Sequence, residues 1–153
     1  LTMAGDGPLW ESTKQLAQAE GLGAVVEFPG VITSDQVAER MRQVRAFVQH
    51  SVITADNDHE GTPLSILEAM ASGLPVIATR HAGIPDVIDH GVNGLLCDER
   101  DIASMSAHIS ALAADAELAG ELGAAGRTRA QRDHRLEDRI GSLAAIIAGI
   151  TRR

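Results

Sequence analysis

The stretch HEGTPLSILEAMASGLPVIAT, His59 to Thr79, carries a marked helix followed by a strand. Thr62-Pro63 reads as a helix start: threonine caps, and proline at the first helical position gives up an N–H that has no intrahelical acceptor anyway. Gly73 followed by Pro75 reads as the stop. The helix is therefore expected over about Pro63 to Ser72, with a strand at Val76–Thr79. Within this apolar helix stands one carboxylate, Glu68, flanked by Ile66, Leu67, Ala69 and Met70, and a second acid, Glu60, lies eight positions earlier.

On either side the same alternation repeats. Leu1–Ala4 is an apolar run ending in the turn Gly5-Asp6-Gly7-Pro8, and a helical stretch follows from Leu9 to about Glu20. Ala24–Phe28 is expected as a strand closed by Pro29-Gly30. Thr33 and Gln36 have capping-box spacing, which predicts a helix to about Val44. Ala46–Val48 reads as a strand, Thr54–His59 as a polar loop, Pro85–Asp89 as a short helical piece and Gly94–Cys97 as a last strand. From Ile102 onward only helical periodicity remains. Strands alternating with helices imply βαβ units: an α/β chain with a mostly parallel, Rossmann-like sheet and helices on both faces, in a single domain over 1–153. Leu1 already lies in an apolar run leading into a turn, so the chain is expected to be cut from a longer one, with the first strand of the domain missing upstream.

Composition narrows the function classes. A length of 153 residues with 44% apolar content allows a packed core. The net charge of −8 argues against nucleic acid as partner. No apolar run reaches the roughly 18–20 residues of a membrane span. Cys97 is the one cysteine, which rules out an internal disulfide and fits a reducing compartment. The six histidines lack H-x-x-x-H and H-E-x-x-H spacing, so no metal site is expected. Gly5-Asp6-Gly7 lacks the third glycine of a dinucleotide fingerprint, since position 10 is Trp10. The Arg-rich segment Gly126–Arg139 is interleaved with Asp133, Glu137 and Asp138 and reads as a solvated helix surface.

The first turn of the Pro63–Ser72 helix leaves the N–H groups of Leu64 and Ser65 pointing out of the positive end of the helix dipole, an arrangement suited to phosphate. Glu68 lies five residues beyond Pro63, about 7–8 Å up the axis. Carboxylates repel phosphate, and their natural partners are hydroxyls that donate to them. Hydroxyls on both sides of a diphosphate describe a nucleotide sugar, with Glu68 toward the ribose and Glu60 toward the sugar. A lone glutamate on a short helix is ordinarily only its wet face, and spacing by itself leaves that reading open.

The longer pattern resembles the C-terminal donor domain of the retaining two-domain (GT-B) glycosyltransferases of family 4, the group 1 glycosyltransferases. It runs from Glu60 to Glu68, then through Ala69-Met70-Ala71-Ser72-Gly73-Leu74-Pro75-Val76-Ile77-Ala78-Thr79, Ala82–Ile88 and Gly91–Leu96, with Ala4–Leu9 and Val26–Gly30 upstream. The resemblance implies that Glu60 is the catalytic-site acid contacting the donor sugar and that Glu68 binds the ribose. Gly61, Thr62, Leu64 and Ser65 would then line the diphosphate, and Gly30, Val31 and Ile32 would lie beside the base. It further implies transfer from a UDP- or GDP-linked sugar to a glycan or lipid-linked acceptor, without cofactor or catalytic metal. The setting would be bacterial surface polysaccharide synthesis, in the cytoplasm or at the inner face of the membrane.

Two departures qualify it. Thr62-Pro63 stands where relatives often have Phe-Gly, so a phosphate cradle here depends on Leu64 and Ser65. The family's Arg and Lys that neutralise the diphosphate, and its N-terminal acceptor domain, are expected to lie outside this chain, which alone would then be inactive or nearly so. A stand-alone nucleotide-sugar binding module and a degenerate, non-catalytic partner domain are the alternatives. An apolar stripe in the tail, including Ile140, Leu143, Ile146 and Ile147, predicts self-association.

Overall fold

A computed structural model describes residues 1–53, 61–134 and 136–151. The chain divides into two compact units, residues 1–40 and residues 41–153. Every strand pairing in both is parallel, and strands alternate with helices until the three C-terminal helices take over, so the α/β expectation holds.

In the first unit β1 (Thr2–Ala4) pairs with β2 (Glu27–Gly30), and α1 (Trp10–Ala19) and α2 (Ser34–Met41) follow them in turn. The capping box forms as spaced: the Gln36 N–H donates to Thr33 Oγ1 at 3.3 Å, and the Thr33 N–H donates to Gln36 Oε1 at 2.8 Å. β2 begins later than its β-branched run. The N–H groups of Val25 and Val26 both turn back to the Leu22 carbonyl, so these residues form a turn and the ladder starts at Glu27. Pro29-Gly30 lies inside the strand rather than beyond it. The Trp10 and Phe28 rings meet edge to face, 5.4 Å apart.

In the second unit β3 (Phe47–Gln49), β4 (Val76–Thr79) and β5 (Leu95–Cys97) form a three-stranded sheet in the order β3-β4-β5. Phe47 lies opposite Val76, and Ile77 opposite Leu95. All four residues of the central strand are fully buried, as expected for a strand hydrogen-bonded on both edges. Leading into and out of it are α3 (Leu64–Ala71) and α4 (Ile84–Val87), and α5 (Ile102–Ala114), α6 (Ala116–Asp133) and α7 (Leu136–Thr151) complete the chain. One core cluster joins Ile77, Leu95 and Cys97 of the sheet to Met105, Leu112, Ala119 and Leu122 of α5 and α6.

α3 ends as the Gly-x-Pro signal requires. Gly73 takes φ +81°, its N–H donates to the Met70 carbonyl at 2.9 Å, and the Leu74 N–H donates to that of Ala69 at 3.0 Å. This double bond pattern around a left-handed glycine satisfies the last carbonyls and turns the chain into β4. Its start corrects the sequence reading. Pro63, with extended backbone angles, is itself the cap residue, and Thr62 makes no capping bond. The Thr62 hydroxyl instead donates to the carbonyl of Gly83, in the β4–α4 loop, at 3.1 Å. A distant acceptor has taken the threonine away from its own helix.

Candidate functional site

The carboxyl ends of β3, β4 and β5 and the first turn of α3 form the candidate site in the second unit. α3 buries Ile66, Ala69 and Met70 and exposes Leu64 and Glu68, one turn apart on the opposite stripe. As at any helix start, the N–H groups of Leu64 and Ser65 have no acceptor within the helix. Glu68 is thus an exposed acid on the same face as Leu64, one turn beyond the helix start. Gly61 is exposed, Thr62 and Ser65 are half-buried and Pro63 is buried. Glu60 and the expected polar loop Thr54–His59 lie outside the described residues.

The β4–α4 loop closes against this helix start. A Cβ on Gly83 would lie 2.5 Å from Thr62 Oγ1, so a side chain there would displace the Thr62 hydroxyl, while the Thr62 N at 3.4 Å would be in ordinary contact. Ala82 beside it holds φ 44°, a left-handed conformation unusual for a residue with a side chain. His81 points inward: its ring is 1% exposed, and Nδ1 lies 2.7 Å from Glu99 Oε1. Arg80 remains half-exposed, 3.7 Å from Asp98.

Glu99 was not singled out by the sequence, and it organises this edge. Its Oε2 accepts the Ile53 N–H at 2.8 Å, while Oε1 meets His81. The hydrogen bond with His81, and next the one from Ile53, hold its carboxyl below the ordinary value of 4.5. Thr79 and Ser51 form a second tie across the same strands. The run Cys97-Asp98-Glu99-Arg100-Asp101 directly after a strand was the available signal, because an acid at a strand's carboxyl end sits where α/β sheets place their sites. Cys97 is buried, and burial pushes its thiol above the ordinary cysteine range, with Asp101 and Asp98 adding to the effect. That suits a core residue, not a nucleophile.

Gly30 is the last residue of β2, in the first unit, and Val31 and Ile32 follow it. Gly30 takes φ +75° and its carbonyl accepts the Gly5 N–H at 2.8 Å, which joins the ends of the two strands. Val31 is 72% exposed. A cavity of about 320 Å³ opens in this unit, lined by Met3 to Trp10 and Thr13. Among the described residues no cluster of three or more His, Cys, Asp or Glu could hold a metal ion.

In the Arg-rich segment, Arg129 pairs with Asp89 at 2.6 Å and with Asp133 at 2.9 Å, and donates to the Asp86 carbonyl. It is a strut from α6 to α4, at Asp86, and to Asp89 just beyond it.

The sequence pattern of the family described as glycosyl transferases group 1 matches residues 1–129. The colanic acid biosynthesis glycosyltransferase WcaL (putative) of Escherichia coli K12 is 36% identical over 107 residues, 70% of this chain and 26% of that protein. A GDP-mannose-dependent alpha-(1-6)-phosphatidylinositol monomannoside mannosyltransferase of Mycobacterium tuberculosis is 30% identical over 150 residues, 97% of this chain and 39% of that protein. Among solved structures, the sucrose-phosphate synthase of Thermosynechococcus elongatus superposes with a TM-score of 0.81 at 27% identity, over 98% of this chain and 39% of that one. Anabaena HepE, crystallised with UDP-glucose, gives 0.85 at 21% identity over 97% of this chain and 40% of its own, a likeness of fold. The chain therefore spans roughly a quarter to two-fifths of those two relatives. With that match over most of its length, the chain belongs to the group 1 glycosyltransferases.

Proposed function

We propose that this chain is the donor-binding domain of a retaining, family 4 glycosyltransferase, with residues 1–153 acting as one Rossmann-like domain that binds an NDP-sugar. The observation that carries the reading is the exposed Glu68 one turn above Leu64, at an open helix start held tightly by Gly83 and Thr62. In this reading the N–H groups of Leu64 and Ser65 receive the diphosphate and Glu68 accepts from the ribose hydroxyls. Gly61 and Thr62 shape the floor, Glu60 contacts the transferred sugar, and Gly30, Val31 and Ile32 lie beside the base. Transfer itself, with retention of configuration and without a metal, belongs to the full-length protein with its acceptor side. Family membership supports the transferase reading, and the names of the colanic acid and amylovoran glycosyltransferases among the relatives support a role in bacterial surface polysaccharide synthesis. The proposed location is the cytoplasm, at the inner membrane face for the full-length enzyme; no described helix is long and apolar enough to cross a membrane.

Calorimetric titration with UDP-, GDP- and ADP-sugars tests the reading. One nucleotide series should bind, and Glu68→Ala should weaken it by about 1.5–3 kcal/mol, roughly 10–150-fold, the worth of hydrogen bonds to a charged acceptor. Unchanged affinity in Glu68→Ala would remove the ribose assignment.

A further inference from the structure

The carboxyl ends of β3, β4 and β5 are bound together by one acid. Glu99 uses its two oxygens on two different segments: Oε2 on the Ile53 N–H at 2.8 Å, and Oε1 on His81 Nδ1 at 2.7 Å. Arg100 Nη2 adds a bond to the Ile53 carbonyl at 3.2 Å, so the segment leaving β3 is held through both its donor and its acceptor. With Nδ1 facing a carboxylate, the imidazole carries a proton there and donates it.

His81 passes this restraint on. Its N–H donates to the Thr79 carbonyl at 2.8 Å and its own carbonyl accepts the Ile84 N–H at 3.0 Å. The backbone between, at Ala82 and Gly83, is in the conformation that brings the Gly83 carbonyl onto the Thr62 hydroxyl. Thr62 immediately precedes Pro63, the cap of α3, whose carbonyl accepts the Ile66 N–H at 3.1 Å. An uninterrupted series of short contacts thus runs from Glu99 to the helix start that carries Leu64, Ser65 and Glu68. A left-handed Ala82 persists only where its surroundings fix it, and the part-buried His81–Glu99 contact beside it supplies that restraint.

We propose that Glu99 is a positioning residue of the nucleotide-sugar site. By holding Ile53 and His81 together it fixes the β4–α4 loop, and through Gly83 and Thr62 the first turn of α3, in the arrangement that receives a nucleoside diphosphate sugar. Glu99 itself touches no ligand. The proposal rests on the donor reading above and adds the residue that pre-organises it.

Amide hydrogen exchange and calorimetry on wild type, Glu99→Ala, Glu99→Gln and Glu68→Ala separate the two claims. Glu99→Ala should speed exchange at Ile53, Ile84 and Ile66 while leaving Ile77 and Leu96 in the sheet protected. It should weaken UDP-glucose or GDP-mannose, whichever binds, by about 3–30-fold, the range seen for network residues remote from a ligand. Glu99→Gln, which keeps an acceptor for the Ile53 N–H, should lose less in both measurements. Unchanged exchange at Ile84 and Ile66 overturns the positioning role. So does full affinity in Glu99→Ala when Glu68→Ala is weakened, and the donor reading then stands. A wild type that binds neither ligand at millimolar concentration overturns the donor reading and, with it, this proposal.

Discussion

The hydroxyl of Thr79 holds Ser51 by both its backbone groups: it donates to the Ser51 carbonyl at 2.6 Å and accepts the Ser51 N–H at 3.0 Å. Thr79 is fully buried and Ser51 is 7% exposed, so water can replace neither bond. Replacing Thr79 with valine keeps the shape and strands a buried donor and a buried acceptor. The expected cost is at least about 1–3 kcal/mol, read as a lower urea midpoint at unchanged slope. Thr79→Ser, which keeps the hydroxyl, should recover most of it.

Contacts of this kind explain which parts of the fold were legible in the sequence. The Thr33/Gln36 capping box and the Gly73 helix stop are decided by residues a few positions apart, and both formed as spaced. The interior strand Val76–Thr79 announced itself by an unbroken apolar run ahead of a polar loop. Thr62 departs from its expected capping role because its acceptor, Gly83, is 21 residues away and competes with the local helix. The role of Glu99 is illegible in sequence for the same reason: its partners are His81, 18 residues back, and Ile53, 46 back. β2 started late because a turn at Leu22 captured two β-branched residues that propensity alone would place in the strand.

The glycines of α6 make a prediction with two signs. A Cβ on Gly123 would overlap the carbonyl oxygen of Gly73, in the left-handed residue that closes α3. Both sides of that contact are backbone, so relief requires moving a helix. Gly123→Ala should destabilise by about 1–3 kcal/mol. At Gly120, one turn earlier, an added methyl meets nothing within 4 Å. There Gly120→Ala should stabilise by about 0.5–1 kcal/mol, through the lower entropy cost of fixing alanine in a helix. Thermal melts of the two variants should shift in opposite directions, and a common direction would sink the packing account.

Acid sensitivity can be traced to a helix cap. Asp101 begins α5, with Oδ1 accepting the Ser104 N–H at 3.0 Å and Oδ2 accepting the Ser104 hydroxyl at 2.6 Å. The Ser104 hydroxyl first, then its N–H, hold the carboxyl below its ordinary value of 3.8. A carboxyl lowered in the folded state adds stability above its unfolded pKa and loses it as pH falls through the folded one. Asp101→Asn keeps an acceptor for the N–H and removes the titration. The stability advantage of wild type over Asp101→Asn should be constant from pH 7 to about pH 5 and shrink steadily below about pH 4. A gap that stays flat in urea melts down to about pH 2.5 would mean the charge at this cap contributes nothing.

The C-terminal helix presents an apolar stripe left in water. Ile140, Leu143, Ile146, Ile147 and Ile150 of α7 are each more than half exposed, from 53% to 69%, and their spacing puts them along one side. An exposed stripe of this kind is unfavourable in water and drives association when concentration allows. The chain should therefore self-associate, with a weight-average mass in sedimentation equilibrium that rises with concentration. Leu143 and Ile147 are one turn apart, so the pair Leu143→Glu and Ile147→Glu puts charge at the centre of the stripe without adding helix breakers. This double variant should sediment as a monomer and keep its helical circular dichroism. A wild type that remains monomeric at several hundred micromolar (on the order of the concentration where weak contacts of about 4–5 kcal/mol appear) would show that the stripe does not recognise its own copy.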